Sequence, residues 1–280
     1  VSVSSGASAV FGIGMIKDKD SFRNIGLIGR PDRASVVDTL NLLEQYLLQE
    51  GLTVIYDEGT AALMQREGLQ VCSRPLLGEV CDLVIVVGGD GSLLHAARAL
   101  ARYKTPVLGV NRGRLGFLTD ISPDEVITKV AAVLHGDYTV DYRFLLNLEV
   151  RSNGNPVGEA LALNDVVLHA GKSVHMLEFE LYIEGQFVYR QRSDGLIVAT
   201  PTGSTAYALS GGGPIMHPKL DAIVLVPMHP HTLSSRPIVV DGDSEIKIRI
   251  TETTLRPLVS PDGHSGISLN AGDWVYIKKH

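Results

Sequence analysis

The sequence is poor in the residues that would make it a disulfide scaffold, a membrane protein or a nucleic-acid clamp. Only Cys72 and Cys81 are cysteines, too few for a disulfide framework and without metal-ligand spacing. A reduced, cytoplasmic setting with both thiols simply packed is the expectation. No run approaches the ~18 apolar residues a membrane helix requires, so no membrane partner is expected. Lys and Arg do not outnumber the acids: 25 stand against 31, for a net charge of -6. Without clustered cations, a broad nucleic-acid face is excluded. There is no internal repeat and no low-complexity tract. Residues 1–23 lack the basic start of a secretion signal and read as a tag-like or disordered segment outside the fold.

What is present is a globular composition, 45% apolar and 20% charged over 280 residues, ample for one large or two ordinary domains. Residues 24–140 alternate strand and helix. Ile25-Gly26-Leu27-Ile28-Gly29 reads as a buried strand, and Val36, Leu40, Leu43 and Leu47 then recur at helical spacing with Gly51 as C-cap. Leu52 to Tyr56 is a second strand, and 57–74 a mixture of short helix and loop. The next strand, Leu83-Val84-Ile85-Val86-Val87, is apolar throughout and so reads as buried on both faces. Pro106 to Val110 is another strand. Ser122-Pro123-Asp124-Glu125 has the form of a capping box opening a helix that Gly136 ends. Such alternation predicts a parallel sheet covered by helices, with ligands beyond the C-terminal strand ends. From about residue 141 the period changes to two, as in Leu177-Glu178-Phe179-Glu180-Leu181, and Glu184-Gly185 marks a hairpin. Residues 141–280 are expected to form an all-β domain of two packed sheets.

Three stretches carry chemistry. Gly88-Gly89-Asp90-Gly91-Ser92 joins the apolar strand to a helix, where unpartnered N–H groups and the helix dipole attract an anion. The carboxylate of Asp90 would repel a bare phosphate, which points to a reacting group or a metal partner. The competing reading makes Asp90 or Ser92 a helix cap and the glycines a turn. Asn111-Arg112-Gly113 ends the next strand and can line the same crevice. Asn164-Asp165 offers an amide beside a carboxylate, suited to a base edge and a ribose diol, or else to a turn that bonds its own backbone. Asp194 through Gly213 gathers Thr200, Thr202, Ser204, Thr205, Tyr207 and Ser210 among small residues, with no base inside the stretch to serve a serine nucleophile. It reads as a binding loop.

Together these stretches resemble the NAD kinases, in particular the gamma-proteobacterial enzymes. The matching motifs are Gly88-Gly89-Asp90-Gly91, Asn111-Arg112-Gly113 with Leu115-Gly116-Phe117-Leu118, Asn164-Asp165, Asp194 to Gly213, and His231 to Pro237. The resemblance implies an α/β N-terminal domain with a Rossmann-like sheet, an all-β NAD-binding domain, and transfer of the γ-phosphoryl of ATP to the 2′-hydroxyl of the adenosine ribose of NAD. ATP would bring Mg²⁺ or another divalent metal, for which no ligands are assigned. Asp90 would be the general base. Gly88, Gly89, Gly91, Ser92, Asn111 and Arg112 would cradle the phosphates. Asp90, Gly91, Asn164, Asp165, His175, Arg192 and Asp194 would contact NAD, with Thr205, Ala206, Tyr207, Ala208, Leu209 and Ser210 lining it. Arg192 matches a position linked with preference for NAD over NADH. A homodimer or homotetramer is implied.

The chain departs from the family pattern at His95, where Gly is usual, at Ala170, and at Pro261-Asp262-Gly263-His264, so that His264 is left out of the site. The family's C-terminal tail is expected to be missing. A lipid or sugar kinase would account only for the glycine motif. A non-catalytic NADP sensor would retain the pocket without needing Asp90.

Overall fold

The computed structural model describes residues 8–12, 22–30, 34–112, 118–119, 121–171, 176–232, 235–251, 256–264 and 266–280. The chain divides into two compact units, Val1–Tyr142 and Arg143–His280.

In the first unit the strands are β1 (Ser8–Gly12), β2 (Asn24–Gly29), β3 (Thr53–Asp57), β4 (Val71–Cys72), β5 (Leu83–Gly88), β6 (Val107–Asn111) and β7 (Tyr138–Tyr142). They form one sheet in the order β4-β3-β2-β5-β6-β1-β7. The run from β4 to β6 is parallel throughout. The sequence reading leaves 1–23 outside the fold. The structure corrects this for Ser8–Gly12, which pairs antiparallel with β6 and parallel with β7. The apolar run there, Ala9-Val10-Phe11, is only three residues long between Ser8 and Gly12, too short to show a period.

Helices α1 (Ala34–Gln49), α2 (Glu58–Met64), α3 (Arg74–Val80), α4 (Asp90–Leu100) and α5 (Val126–Leu134) connect the strands. Val36, Leu40, Leu43 and Leu47 of α1 are wholly buried, as their spacing requires, against Ile25, Leu27 and Tyr56. Asp57 caps α2, accepting the Thr60 N–H at 3.0 Å. At α5 the expected capping box takes another form. Pro123–Glu125 is a 3₁₀ turn, and the Ser122 hydroxyl donates to the Glu125 carboxylate at 3.0 Å instead of accepting a backbone N–H. The Cys81 thiol is buried and pushed up to about 12 chiefly by desolvation, which keeps it a packed, neutral group.

The second unit contains β8 (Leu146–Ser152), β9 (Asn155–Ala162), β10 (Asp165–His169), β11 (Leu177–Ile183), β12 (Gln186–Ser193), β13 (Gly195–Ala199), β14 (Ala222–Met228), β15 (Ile238–Asp241), β16 (Ile246–Ile250), β17 (Leu258–Pro261), β18 (Ile267–Ser268) and β19 (Trp274–Lys279), with one short helix, α6 (Tyr207–Ser210). Two six-stranded sheets result, β15-β14-β13-β10-β17-β18 and β12-β11-β16-β19-β8-β9, with antiparallel pairings throughout. The hairpin at Glu184-Gly185 is as expected, with both residues at positive φ, a conformation that favours glycine. The core between the sheets takes alternate residues: Leu148 and Val150 of β8, Leu177, Phe179 and Leu181 of β11, Leu196 and Val198 of β13, and Val166 and Leu168 of β10. Period two then forces Asp165, Val167 and His169 onto the other face of β10, and that face carries the candidate site.

Candidate active and dinucleotide site

In the first unit the strand order reverses between β2 and β5, and such a switch point is where open parallel sheets bind ligands. Strand β5 ends in Gly88, paired with Asn111 at the end of β6. The Arg112 N–H continues that pairing to the Gly88 carbonyl at 2.9 Å. Gly89 is the N-cap of α4 without any side-chain cap, and Asp90 is the first helical residue. The residue at the cap position is thus Gly89 rather than Asp90 or Ser92. Instead Asp90 Oδ1 accepts the N–H groups of Leu118 and Thr119, both at 3.2 Å, and the Thr119 hydroxyl at 3.1 Å. These donors, from the loop after β6, fix the orientation of a carboxylate at a helix start.

The three glycines of the turn differ. A Cβ on Gly88 would lie 2.4 Å from the Ser92 hydroxyl, so the fold itself requires glycine there. A Cβ on Gly89 or Gly91 would meet nothing within 4 Å among the described residues. Those two positions keep backbone open beside Asp90, as close approach of a ligand would demand. Asn111 is buried and its amide donates to the Thr119 carbonyl at 3.3 Å. The Arg112 guanidinium donates from Nε to the Ser35 carbonyl at 2.8 Å and so ties the loop to the start of α1. His95, further along α4, accepts from Arg74 through Nδ1 at 2.6 Å, and Arg74 Nε donates to Asp57 at 2.8 Å.

In the second unit a cavity of about 1050 Å³ opens on the outer face of β10 and β17. Asn164, Asp165, Asp194, Ala206 and Tyr207 line it, so five residues expected to contact the dinucleotide meet around one space. Val167, Met228 and Leu258 supply apolar surface, and Ser260, Asp262, Gly263 and His264 close one side. The turn that aims Asn164 and Asp165 is held from β17: the Asp262 carboxylate accepts the N–H groups of Leu163 at 3.0 Å, Asn164 at 2.7 Å and Asp165 at 3.2 Å. Thr200 braces the same turn from the other side, its hydroxyl donating to the Leu163 carbonyl at 2.6 Å. Gly203 packs so closely that a Cβ would sit 2.0 Å from the Asn164 carbonyl oxygen.

Asp165 is only 4% exposed. Burial pushes its carboxyl up to about 7, and the adjacent Asp262 carboxylate adds to the shift. Asn164 Oδ1 is buried and has no hydrogen-bond partner among the described residues. His169 accepts the Gly171 N–H at Nδ1 (3.1 Å), which leaves Nε2 to donate to the Ser260 hydroxyl at 3.0 Å. Burial lowers its pKa and keeps the ring neutral. Asp194 is exposed and pairs with His229 at 3.0 Å.

The remaining expected residues are placed differently. Thr205 donates to the Thr202 carbonyl at 3.3 Å, and Ala208 is buried in the small core beneath α6. Leu209 is exposed. Ser210 lines a second hollow of about 340 Å³, which shares Tyr207, Met228 and His229 with the first. Arg192 is exposed on β12 and its carbonyl accepts the His231 N–H at 3.0 Å. His175 lies outside the described residues. Sequence reasoning missed His169, Met228, His229, Ser260 and Asp262 and set His264 aside. Only the alternation through β10 could have found His169, and Asp262 gave no local signal because its partners are almost a hundred residues away.

Among the described residues no three His, Cys, Asp or Glu side chains converge as a metal site. No described helix is long and apolar enough to cross a membrane.

Comparison with known proteins bears directly on these two sites. Residues 25–138 match the ATP-NAD kinase N-terminal domain and residues 163–280 the ATP-NAD kinase C-terminal domain. The chain is 66% identical over 260 residues to the NAD kinase of Acinetobacter baylyi, covering 93% of this chain and 85% of that protein. It is 65% identical over 261 residues to the NAD kinase of Azotobacter vinelandii, covering 93% and 88%. Among solved structures, yeast NADH kinase complexed with NADH superposes with a TM-score of 0.87 at 26% identity, covering 98% of this chain and 87% of that one. An Archaeoglobus fulgidus NAD kinase in complex with ATP gives 0.71 at 25% identity, covering 92% and 90%. A lipid or sugar kinase sharing only the glycine motif would match neither the second domain nor these relatives. The chain belongs to the NAD kinase family.

Proposed function

We propose that Asp90 is the general base of the family reaction, in which the γ-phosphoryl of ATP passes to the 2′-hydroxyl of the adenosine ribose of NAD. The new bond joins that oxygen to Pγ, the bond from Pγ to the bridging oxygen of ADP breaks, and the hydroxyl proton goes to the Asp90 carboxylate. NADP and ADP result. The observation that carries this role is the Asp90 carboxylate itself, oriented at a helix start by Leu118 and Thr119. A general base must reach the proton it abstracts, and an oriented carboxylate beside open backbone supplies that. Little covalent chemistry is asked of the protein beyond this. Phosphoryl transfer depends mainly on positioning and charge neutralisation. Gly89 and Gly91 give phosphate and ribose room beside the helix start, where N–H groups favour an anion. A divalent ion would enter with the triphosphate and supply charge neutralisation there.

The cavity on β10 and β17 takes the dinucleotide in this reading. Asn164 and Asp165 hold adenine or ribose groups, Asp194 meets the nicotinamide end, and Ala206 and Tyr207 line the ligand. Thr205, Ala208, Leu209 and Ser210 belong to the same segment, of which Ala208 acts by packing it. Arg192 and His175 enter on the family likeness alone, as do a homo-oligomeric assembly and a cytoplasmic setting. A coupled assay that follows NADP formation from NAD, ATP and Mg²⁺ tests the whole reading. Folded protein that forms NADP supports it, and folded protein that binds NADP without forming it would favour the sensor alternative.

A further inference from the structure

The C-terminal end of β6 is tied to the start of α4 through one buried threonine. Ile121 lies parallel beside Val110, and Asn111 holds this part of the chain at two points. Its backbone N–H donates to the Ile121 carbonyl at 2.8 Å, and its side-chain amide donates to the Thr119 carbonyl at 3.3 Å. Gly109 makes the room: a Cβ there would lie 2.9 Å from Thr119 Cγ2 and 3.3 Å from the Leu118 carbonyl oxygen. Thr119 is wholly buried, and its N–H and hydroxyl both donate to Asp90 Oδ1, at 3.2 Å and 3.1 Å. A hydroxyl that gives its proton to a carboxylate makes a charge-assisted bond, stronger than one between neutral groups. Thr119 is thus held on both sides, its carbonyl by Asn111 and its two donors by Asp90.

We propose that Asn111 and Thr119 are positioning residues of the phosphoryl transfer: Asn111 fixes Thr119, and the Thr119 hydroxyl holds the Asp90 carboxylate in the direction from which it takes the proton. This rests on the reading that Asp90 is the base, and goes past it by assigning Asn111 to that base instead of to the triphosphate. Asn111 is 4% exposed and its amide faces a backbone carbonyl, so it serves the protein's own geometry and not a phosphate. An Asp side chain at a helix start turns freely about its bonds. Three donors converging on one oxygen, one from Leu118 and two from Thr119, remove that freedom before the substrate arrives. Orientation settled in advance lowers the barrier to the reaction without tightening the binding of either substrate. A Thr119 that only packed the loop would act on stability and leave the rate constant alone.

The experiment is steady-state NADP formation by the whole chain, with a thermal melt on each preparation. Thr119→Val keeps the shape and removes the hydroxyl. The expected result is a kcat at least about tenfold lower, with the KM for NAD and for ATP within about twofold. Thr119→Ser restores the donor and is expected to recover kcat to within about threefold of the native chain. Failure to recover would assign the loss to packing and overturn the inference. Should Thr119→Val not fold, Thr119→Ala must show the same split between kcat and KM. Asn111→Ala is expected to lower kcat likewise, whereas a raised KM for ATP with kcat kept would return Asn111 to the triphosphate and overturn its part. Added to Asp90→Asn, Thr119→Val is expected to cause no further loss, because it acts through that carboxylate. Native kcat in folded Thr119→Val, beside a disabled Asp90→Asn, would overturn this inference alone. An active Asp90→Asn would overturn the reading of the base along with it.

Discussion

The carboxylate of Asp262 accepts the backbone N–H of Asn164 at 2.7 Å, joining the end of β17 to the turn that opens β10. The same carboxylate also holds the N–H groups of Leu163 and Asp165. One side chain thus sets the direction in which both Asn164 and Asp165 leave the backbone.

Asp262→Ala deprives three N–H groups of their acceptor, each unmet group costing about 1–3 kcal/mol when buried. The expected outcome is a melting temperature lower by several degrees and NAD binding weakened at least about tenfold, as the turn loses its brace. Asp262→Asn retains one acceptor oxygen and should fall between. Calorimetry beside a thermal melt checks both, and unchanged NAD binding in Asp262→Ala would show that the turn holds itself.

Asp165 makes stability fall with rising pH. Its folded carboxyl is raised from 3.8 to about 7, so between those values the folded state binds more proton than the unfolded state. Its contribution is fully present below about pH 4 and is lost as pH rises through about 7. Denaturant melts of the native chain and Asp165→Asn should diverge across that window and run parallel above it. Parallel curves throughout would mean that the carboxyl is not desolvated.

Two glycine substitutions separate fold from ligand. Gly203→Ala places a Cβ 2.0 Å from the Asn164 carbonyl oxygen and should cost more than ~2 kcal/mol of stability. Gly91→Ala meets nothing within 4 Å among the described residues, and a surface change of this kind stays within about 0.5 kcal/mol. Its effect should appear in turnover, as a rise in the KM for ATP. If Gly91→Ala leaves the steady-state kinetics untouched, the glycine turn is not a cradle.

Arg74→Met removes the Nε donor that Asp57 receives at 2.8 Å, while Asp57 is only 2% exposed. Breaking a buried pair from one side costs about 3 kcal/mol. His95→Ala removes the ring that accepts from Arg74, and should leave the melt nearly unchanged and NADP formation within a few-fold. A collapse of activity in His95→Ala with the melt intact would move His95 into the site.

The legible parts of the chain were those where one period or one local motif settled the structure. Val36, Leu40, Leu43 and Leu47 gave α1, the apolar run Leu83–Val87 gave the central strand, and alternation around Phe179 gave the sandwich. Gly88 to Ser92 and Asn164-Asp165 were found because glycines, amides and carboxylates stand out against those backgrounds. Other features had no local trace. Strand β1 has no amphipathic repeat and exists only through pairing with β6 and β7. Asp262 acts on residues nearly a hundred positions away, and His229 reaches Asp194 only after β13 and β14 pair. Ser122 carried the capping pattern, yet where Pro123–Glu125 forms a 3₁₀ turn its hydroxyl donates to the Glu125 side chain and makes no side-chain cap.

Asp90→Asn tests the central claim most directly, because the amide keeps the size and one acceptor of the carboxylate but cannot take a proton. Steady-state NADP formation and NAD titration calorimetry should be measured on the same preparation. Turnover reduced at least about 100-fold, with NAD affinity held within a few-fold, is the predicted result. Turnover retained within a few-fold, or turnover and NAD binding lost in equal measure, would contradict Asp90 as the base.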